Sequence, residues 1–261
     1  MKQLLFLLCV LTFASCDTED DTVLNDKTLT TAIEFYAKEV YKDNKKGRPH
    51  LNLILKTEKP FPCANFTINF TQNFKNGKLT IHISGINKSD ICLTAIGPAT
   101  GYLELPEKTQ QLNIVRGDQI DKYRVNINSK KIEIVSQEQE FTKLVNPITL
   151  RYPENSFAVI CGTNLEQTYL CEDFLTKLKE IEALTPYNFP KNGRIPYPDS
   201  SSGNWINTAS TYYLYENEDA LNKTVDYLKT FTQENLSKSE GNSLSIITWD
   251  NQRIYSYELL E

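Results

Sequence analysis

The sequence contains few of the residues that usually carry catalysis or bind metals. It has two histidines, His50 and His82, and no HExxH, GxSxG or P-loop pattern. No pair of cysteines has the spacing of a zinc site. His82 stands between Ile81 and Ile83, so in a strand its side chain faces away from the core. A histidine on that outer face is usually solvated. The sequence therefore predicts no catalytic residue, no metal and no cofactor, and it favours a binding protein over an enzyme.

An excess of basic residues is also absent. The chain has 28 lysine and arginine residues against 33 aspartate and glutamate residues, which gives a net charge of −5. Much of the acidity lies in residues 17–27, which hold five acidic residues and one lysine. Because a nucleic-acid-binding surface needs a basic patch, we expect no nucleic-acid partner.

The first fifteen residues have the pattern of a signal peptide. Lys2 is the only charged residue before Asp17, and the apolar run from Leu4 to Phe13 is interrupted only by Thr12. A run of about ten apolar residues is typical of a secretory signal and is too short to span a membrane. We therefore expect residues 1–15 to be removed from the mature protein.

The residues that follow the apolar run predict a lipid anchor. Ala14-Ser15-Cys16 resembles the lipobox of bacterial lipoproteins, and the acidic cluster at 17–21 resembles the export tag of Bacteroidota-type surface lipoproteins. This resemblance covers only the first part of the chain. It implies that Cys16 is lipidated, that residues 16–27 form an acidic tether, and that the protein is held to a membrane at the outer membrane or the cell surface. The alternative is an ordinary secreted protein that is cut just after Ala14.

The cysteine count favours the lipoprotein interpretation. Cys9 leaves with the signal peptide and the lipid occupies Cys16, whereas ordinary cleavage would leave Cys16 as an odd thiol. The remaining four cysteines are Cys63, Cys92, Cys161 and Cys171. An even set of this kind is typical of disulfides in an oxidising compartment.

Five Asn-x-Ser/Thr sequons keep a different origin open. In a secreted eukaryotic chain they would be glycosylation acceptors. They begin at Asn65, Asn69, Asn87, Asn222 and Asn235. Several such sequons arise by chance in a chain rich in asparagine and threonine, so we favour the bacterial interpretation.

The positions of the four cysteines predict two disulfides. Cys63 precedes a predicted strand and Cys92 follows the strand that returns to it, so the hairpin brings the two together. Cys161 and Cys171 flank a short connection from a strand to a helix. The expected pairs are therefore Cys63–Cys92 and Cys161–Cys171.

The periodicity of apolar residues predicts an α+β fold in two domains. The first domain, residues 28–147, begins with a helix from Thr28 to about Asn44, because Leu29, Ile33, Tyr36 and Val40 recur at helical spacing. From Leu51 the period changes to two, and Asn76-Gly77 is a strong hairpin turn. Further short strands are predicted over 91–96, 101–105, 111–115, 122–127 and 131–135. Closely spaced strands of this kind predict an antiparallel β-sandwich.

The second domain, residues 148–261, is predicted to be a small α/β-layer domain. The continuous apolar run Phe157–Ile160 is typical of a buried strand. A helix around Phe174, a strand from Ile206 to Tyr215 and a helix that starts near Asn217 follow in turn. A hairpin about Asp250-Asn251 closes the chain.

The segment from Pro186 to Asn204 is the candidate binding site. It has no helical or strand period, and a loop of this length in a compact domain is usually functional or disordered. Four prolines and several aromatic residues favour a fixed shape over disorder. Tyr187, Tyr197 and Trp205 are the candidate contacts for a glycan or protein ligand. The alternative, which we favour because aromatic residues mostly contribute buried area, is that these rings fold under the loop and pin it to the body.

Three classes of function remain open from the sequence. A membrane-anchored binding or adhesion module of the cell envelope fits the predicted location, the sandwich and the aromatic loop. An accessory structural subunit of an envelope machine needs no small-molecule site and fits the same location. An extracellular hydrolase that acts on glycans needs a carboxylate pair, for which Glu104, Glu107, Asp118 and Asp121 are candidates near strand ends.

Overall fold

The computed structural model describes residues 29–43, 45–198, 206–237 and 239–260. The predicted signal peptide (1–15), the predicted lipidation site Cys16, the predicted tether (16–27) and Trp205 lie outside these residues. The described chain is mostly β, with two sheets and few helices, and is compatible with the predicted α+β class. No helix in the described part combines the length and the apolar character that crossing a membrane requires.

The first sheet contains ten strands among the described residues. They are β1 (Ile33–Val40), β2 (His50–Phe61), β3 (Thr67–Lys75), β4 (Lys78–Asn87), β5 (Gly97–Glu104), β6 (Gln111–Arg116), β7 (Gln119–Ile127), β8 (Lys131–Glu138), β9 (Thr142–Asn146) and β10 (Ile148–Leu150). Their order across the sheet is β10-β8-β7-β6-β4-β3-β5-β2-β1-β9.

This sheet folds over itself to enclose one apolar core. Phe35 on β1 packs edge-on against Tyr123 on β7, with the ring centroids 4.8 Å apart, although five strands lie between these two in the sheet order. The β-rich sheet matches the predicted β-sandwich. It is mixed rather than antiparallel throughout, because β1 pairs with β9 and β4 pairs with β6 in parallel.

The predicted N-terminal helix is wrong, because this segment is strand β1. Ile33, Phe35 and Ala37 are buried in alternation, and the residues between them are only partly buried. The apolar residues fit a helical period and a period of two about equally well. Pairing decides the outcome, since β1 bonds antiparallel to β2 on one side and parallel to β9 on the other.

Most of the other strand predictions in this half are confirmed. Asn76 and Gly77 form the turn between β3 and β4 with φ of 52° and 74°, as the hairpin signal required. The strand predicted over 91–96 is wrong. These residues form a loop, and β5 begins directly after it at Gly97.

The second sheet contains five strands within the described ranges. They are β11 (Ser156–Thr163), β12 (Leu184–Tyr187), β13 (Ile206–Tyr215), β14 (Ser243–Thr248) and β15 (Arg253–Tyr255), in the order β12-β13-β11-β14-β15. The helices are α1 (Tyr169–Leu178), α2 (Glu218–Asn235) and the short α3 (Ser256–Leu259), and a 3-10 turn at Leu165–Gln167 precedes α1. Strand β12 was not predicted, and α3 replaces the last part of the predicted closing strand.

Strand β11 is covered on both faces, which explains its continuous apolar sequence. Phe157 and Val159 belong to the core that α1 and α2 cover. Ala158 and Ile160 point to the opposite face, which the segment after β12 covers with aromatic rings. Both helix predictions are confirmed. Asn217 is the N-cap of α2, and its side chain accepts a hydrogen bond from the Ala220 N–H.

Both predicted disulfides are confirmed. Cys63–Cys92 has a Cα–Cα distance of 5.2 Å and Cys161–Cys171 one of 5.8 Å. The two bonds are consistent with an oxidising compartment outside the cytoplasm.

Candidate functional site

The segment after β12 joins the two sheets. The Arg194 N–H donates to the Ile148 carbonyl at 2.9 Å, and the Leu150 N–H donates to the Arg194 carbonyl at 2.8 Å. The backbone of this segment therefore extends the first sheet beyond its edge strand β10. Gly193 is required for the close approach, because a Cβ there would lie 2.9 Å from Leu150 Cγ.

The aromatic rings of the same segment cover the second sheet. Tyr197 is buried between Tyr152 and Tyr212, with ring centroids at 4.7 and 5.6 Å. Its hydroxyl forms a 2.7 Å hydrogen bond with Ser156 Oγ. Tyr197 therefore packs the joint between the sheets, and it also lines the cleft described below.

Tyr187 lies at the end of β12 rather than within a loop. Its ring packs edge-on against Phe189 at 4.9 Å, and Phe189 in turn contacts Tyr197 at 6.2 Å. The structure thus brings Tyr187 and Tyr197 to one aromatic cluster, while Trp205 lies outside the described residues. Ligand contact by these three residues stays a prediction.

The two sheets also touch through the loop between β1 and β2. The Tyr41 hydroxyl donates to the Trp249 carbonyl at 2.6 Å, and the Gly47 N–H donates to the Asp250 carbonyl at 2.8 Å. Lys46 forms an ion pair with Asp250 at 3.3 Å. These contacts fix the turn between β14 and β15 beside the end of β1.

A buried ion pair stabilises the end of β1 at this joint. One Glu39 oxygen accepts from Arg151 Nε at 2.9 Å, and the other accepts from the Tyr152 N–H at 2.7 Å. Arg151 also binds Glu107 at 2.9 Å. Burial raises the pKa of Glu39, and the bonds from Tyr152 and Arg151 partly oppose that rise.

A cleft of about 670 Å³ lies where these segments meet. Its lining comes from the end of β1, from Tyr152, from residues 193–198, from Tyr212 and from the turn before β15. The tyrosines that line it are Tyr41, Tyr152, Tyr197 and Tyr212. Its volume is typical of small-molecule sites, which span about 300–1,000 Å³.

The charged residues of the cleft are mainly basic. Lys38, Arg194 and Arg253 line it, and Arg194 is held with its guanidinium carbon 4.5 Å from the centroid of the Tyr36 ring. Of the two acidic residues in the lining, Glu39 is paired with Arg151, which leaves Asp43 at the surface. The cleft is therefore basic within a chain whose net charge is −5.

The tyrosines add apolar surface and hydrogen-bonding groups but no charge. Burial raises the pKa of Tyr152 to about 12, and it raises the pKa of Tyr41 and Tyr197 further. The hydroxyls of Tyr41 and Tyr152 donate to the carbonyls of Trp249 and Pro196. These bonds hold the rings in fixed orientations as walls of the cleft.

The candidate carboxylates for hydrolysis do not converge on this cleft. Asp121 is fully buried and accepts backbone N–H bonds from Glu140, Phe141 and Thr142. Glu107 binds Arg151. Glu104 is exposed on β5, and Asp118 is exposed in the turn between β6 and β7. Across the described ranges, no three His, Cys, Asp or Glu side chains are grouped so that they could hold a metal ion.

Sequence reasoning pointed to residues 186–204 but missed the rest of the cleft. Lys38 lies in the segment that was predicted to be a helix, and nothing in the sequence around Arg253 indicates a binding site. These two residues come from opposite ends of the chain and meet only in the folded protein. Comparison with protein-family models, curated proteins and solved structures finds no match for the chain. The cleft and its charges are therefore the features from which a function is inferred.

Proposed function

We propose that the protein is a lipoprotein of the bacterial cell envelope that is anchored through lipid on Cys16 and binds an acidic glycan in the cleft between its two sheets. The convergence of Lys38, Arg194 and Arg253 with four tyrosines on one cleft is the observation that carries the binding role. The lipobox-like Ala14-Ser15-Cys16 and the acidic residues after it support the anchor. The two disulfides agree with an oxidising compartment.

The charges of the cleft favour an acidic ligand over a neutral one. Guanidinium groups form charge-assisted hydrogen bonds with carboxylates, and two of the three basic residues are arginines. The half-buried rings of Tyr41, Tyr152 and Tyr212 offer apolar surface to a sugar ring at a low entropic cost, because tyrosine has few rotatable bonds. A glycan that carries uronic-acid carboxylates satisfies both features.

The anchor is tested by replacing Cys16 in the full chain. Cys16→Ala should release the protein from the membrane fraction and abolish the incorporation of labelled fatty acid, because no other site is expected to carry lipid. Cys9→Ala is the control, since Cys9 leaves with the signal peptide and its replacement should change neither readout. A Cys16→Ala protein that still carries label and sediments with membranes would disprove the anchor.

The ligand is tested by affinity electrophoresis in native gels that contain polygalacturonate or neutral dextran. We expect retardation by polygalacturonate only. Attraction by overall charge does not explain such retardation, because both the protein and the polymer are negative. Release of shorter sugars from the polymer would favour a glycan hydrolase instead. Equal mobility in both gels would contradict the acidic-glycan proposal and leave the accessory-subunit role as the alternative.

Matched arginine variants locate the binding site. Arg194→Gln and Arg253→Gln should each weaken retardation by about tenfold in dissociation constant, because each removes one charge-assisted bond. Arg124→Gln is the control, since Arg124 is exposed on β7 and does not line the cleft. Equal effects of all three substitutions would show that binding follows total charge rather than the cleft.

A further inference from the structure

The loop before β5 exposes aliphatic side chains. Ile91, Leu93 and Ile96 are 76%, 58% and 79% exposed, and no charged residue lies between Ile91 and Ile96. Three such side chains within six residues form a small apolar tip, which we call the apolar loop (residues 91–96). Exposed aliphatic groups that cluster in this way mark contact surfaces more often than single exposed residues do.

The apolar loop is held in a fixed shape by its neighbours. Cys92 is bonded to Cys63, and the Asn65 side chain bridges the loop backbone. Its Nδ2 donates to the Ile91 carbonyl at 2.6 Å, and its Oδ1 accepts from the Leu93 N–H at 3.2 Å. The aliphatic side chains are therefore exposed on a backbone that is already held in place, so their binding costs little conformational entropy.

The apolar loop lies at the same end of the sandwich as the first described residues, which begin at Leu29. The Lys59 N–H donates to Thr31 Oγ1 at 2.9 Å, so the first described residues run beside this part of β2. Two residues further along β2, Phe61 pairs with Gly97, which directly follows Ile96. The first described residues and the apolar loop are thus neighbours in the fold.

The length of chain between Cys16 and Leu29 limits how far the apolar loop can lie from a membrane that holds the lipid. Thirteen residue steps separate Cys16 from Leu29, and at about 3.3–3.6 Å per residue they span at most about 47 Å when fully extended. A lipid on Cys16 would therefore keep the end of the sandwich that carries Leu29 within roughly one domain diameter of the bilayer.

We propose that this end of the sandwich docks on the lipid bilayer that carries the anchor, with Ile91, Leu93 and Ile96 inserted into the interface. The proposal rests on the proposed lipidation of Cys16. A bilayer fits this surface better than a protein partner, because a stable protein interface buries about 800 Å² on each side, far more than three aliphatic side chains supply. A bilayer sets no such minimum, since each buried aliphatic group adds to its affinity.

A tryptophan at the loop reports its depth in the bilayer. The lipidated chain carrying Leu93→Trp is reconstituted into phosphatidylcholine vesicles with or without bromine near the glycerol end of the acyl chains. We expect bromine to quench the added fluorescence at least twofold, because bromine quenches only indoles within contact range. Ile96→Trp is a second reporter in case Leu93→Trp does not fold.

Tyr102→Trp is the matched control. Tyr102 is exposed on β5, the strand that starts directly after the apolar loop, and lies six residues beyond Ile96, or about 20 Å along the strand. Its replacement should give fluorescence that bromine leaves unchanged. Equal quenching at positions 93 and 102 would show that the body lies on the membrane without the proposed orientation, and it would overturn the proposal.

The remaining outcomes separate this proposal from the anchor itself. An anchored protein whose tryptophans at positions 93 and 96 are not quenched overturns the docking and leaves the anchor intact. Emission that shifts to the blue with rising protein concentration, without vesicles, would assign the loop to a second copy of the chain. A chain that carries no lipid on Cys16 and does not sediment with vesicles overturns both proposals.

Discussion

Replacing Arg151 with methionine would leave the buried carboxylate of Glu39 without its cation. The Glu39 side chain is 2% exposed and that of Arg151 is 17% exposed, with 2.9 Å between Nε and Oε1. Methionine keeps most of the apolar stem of arginine, so the loss of charge is the main change. One hydrogen bond to Glu39 would remain, from the Tyr152 N–H.

The expected cost is about 3–5 kcal/mol in the free energy of unfolding, which is typical when one partner of a buried ion pair is removed. The cost should depend on pH. Burial already raises the pKa of Glu39, and the loss of Arg151 removes a group that lowers it. The folded variant therefore holds a proton more readily than the unfolded chain, whose glutamate pKa is about 4.3. The deficit relative to the parent protein should be largest above the folded pKa of Glu39 in the variant. It should shrink as the pH falls through that pKa towards the lower folded pKa of Glu39 in the parent protein, because the unfolded chain is common to both.

Urea unfolding followed by tryptophan fluorescence measures this cost. The double variant Glu39→Gln with Arg151→Met should recover much of the loss, because no unpaired charge remains. Glu133→Gln is a surface control that breaks the ion pair with Lys131, and it should change stability by less than about 0.5 kcal/mol. A loss below about 1 kcal/mol for Arg151→Met, or a loss that does not vary with pH, would refute this reasoning.

Three further substitutions test the joint and the second sheet. Gly193→Ala should cost about 1–3 kcal/mol in urea unfolding, because the added Cβ meets Leu150 at 2.9 Å, whereas Gly47→Ala, with no atom within 4 Å, should be nearly neutral. Equal losses of stability at the two glycines would show that Leu150 can move to make room for a Cβ at position 193. Asn217→Ala should cost about 1 kcal/mol through loss of the N-cap of α2, measured as a lower urea midpoint, and Asn217→Ser should restore it. Replacing Cys161 and Cys171 together by serine should cost about 2–3 kcal/mol in the same assay, and an unchanged midpoint would contradict the loop-entropy estimate.

Local patterns in the sequence predicted the elements that local physics determines. Asn76 and Gly77 tolerate positive φ, so the hairpin follows from these two residues alone. Asn217 before two acidic residues marked the start of α2, because capping acts within one turn. The Cys161–Cys171 bond followed from a short connection, and the Cys63–Cys92 bond followed from the hairpin that brings these two cysteines together.

The features that the sequence did not reveal depend on distant partners. The segment of Ile33 and Phe35 became a strand because β2 and β9 flank it, and its own periodicity does not decide between strand and helix. The described aromatic residues after Pro186 pack into one cluster at the joint, and residues 199–205 lie outside the described residues. The cleft beside it required Lys38 and Arg253, which are more than two hundred residues apart and meet only when both sheets have formed.

Mass spectrometry of the N-terminal peptide of the mature protein tests the lipoprotein claim most directly. Lipidation predicts a peptide that begins at Cys16 and carries a diacylglyceryl group on its sulfur, with the acidic residues from Asp17 directly after it. Cys16→Ala provides the control, since its peptide should lack the lipid mass. An unmodified peptide that begins at Ser15, from ordinary cleavage after Ala14, would contradict the lipid anchor and would also leave Cys16 as a free thiol.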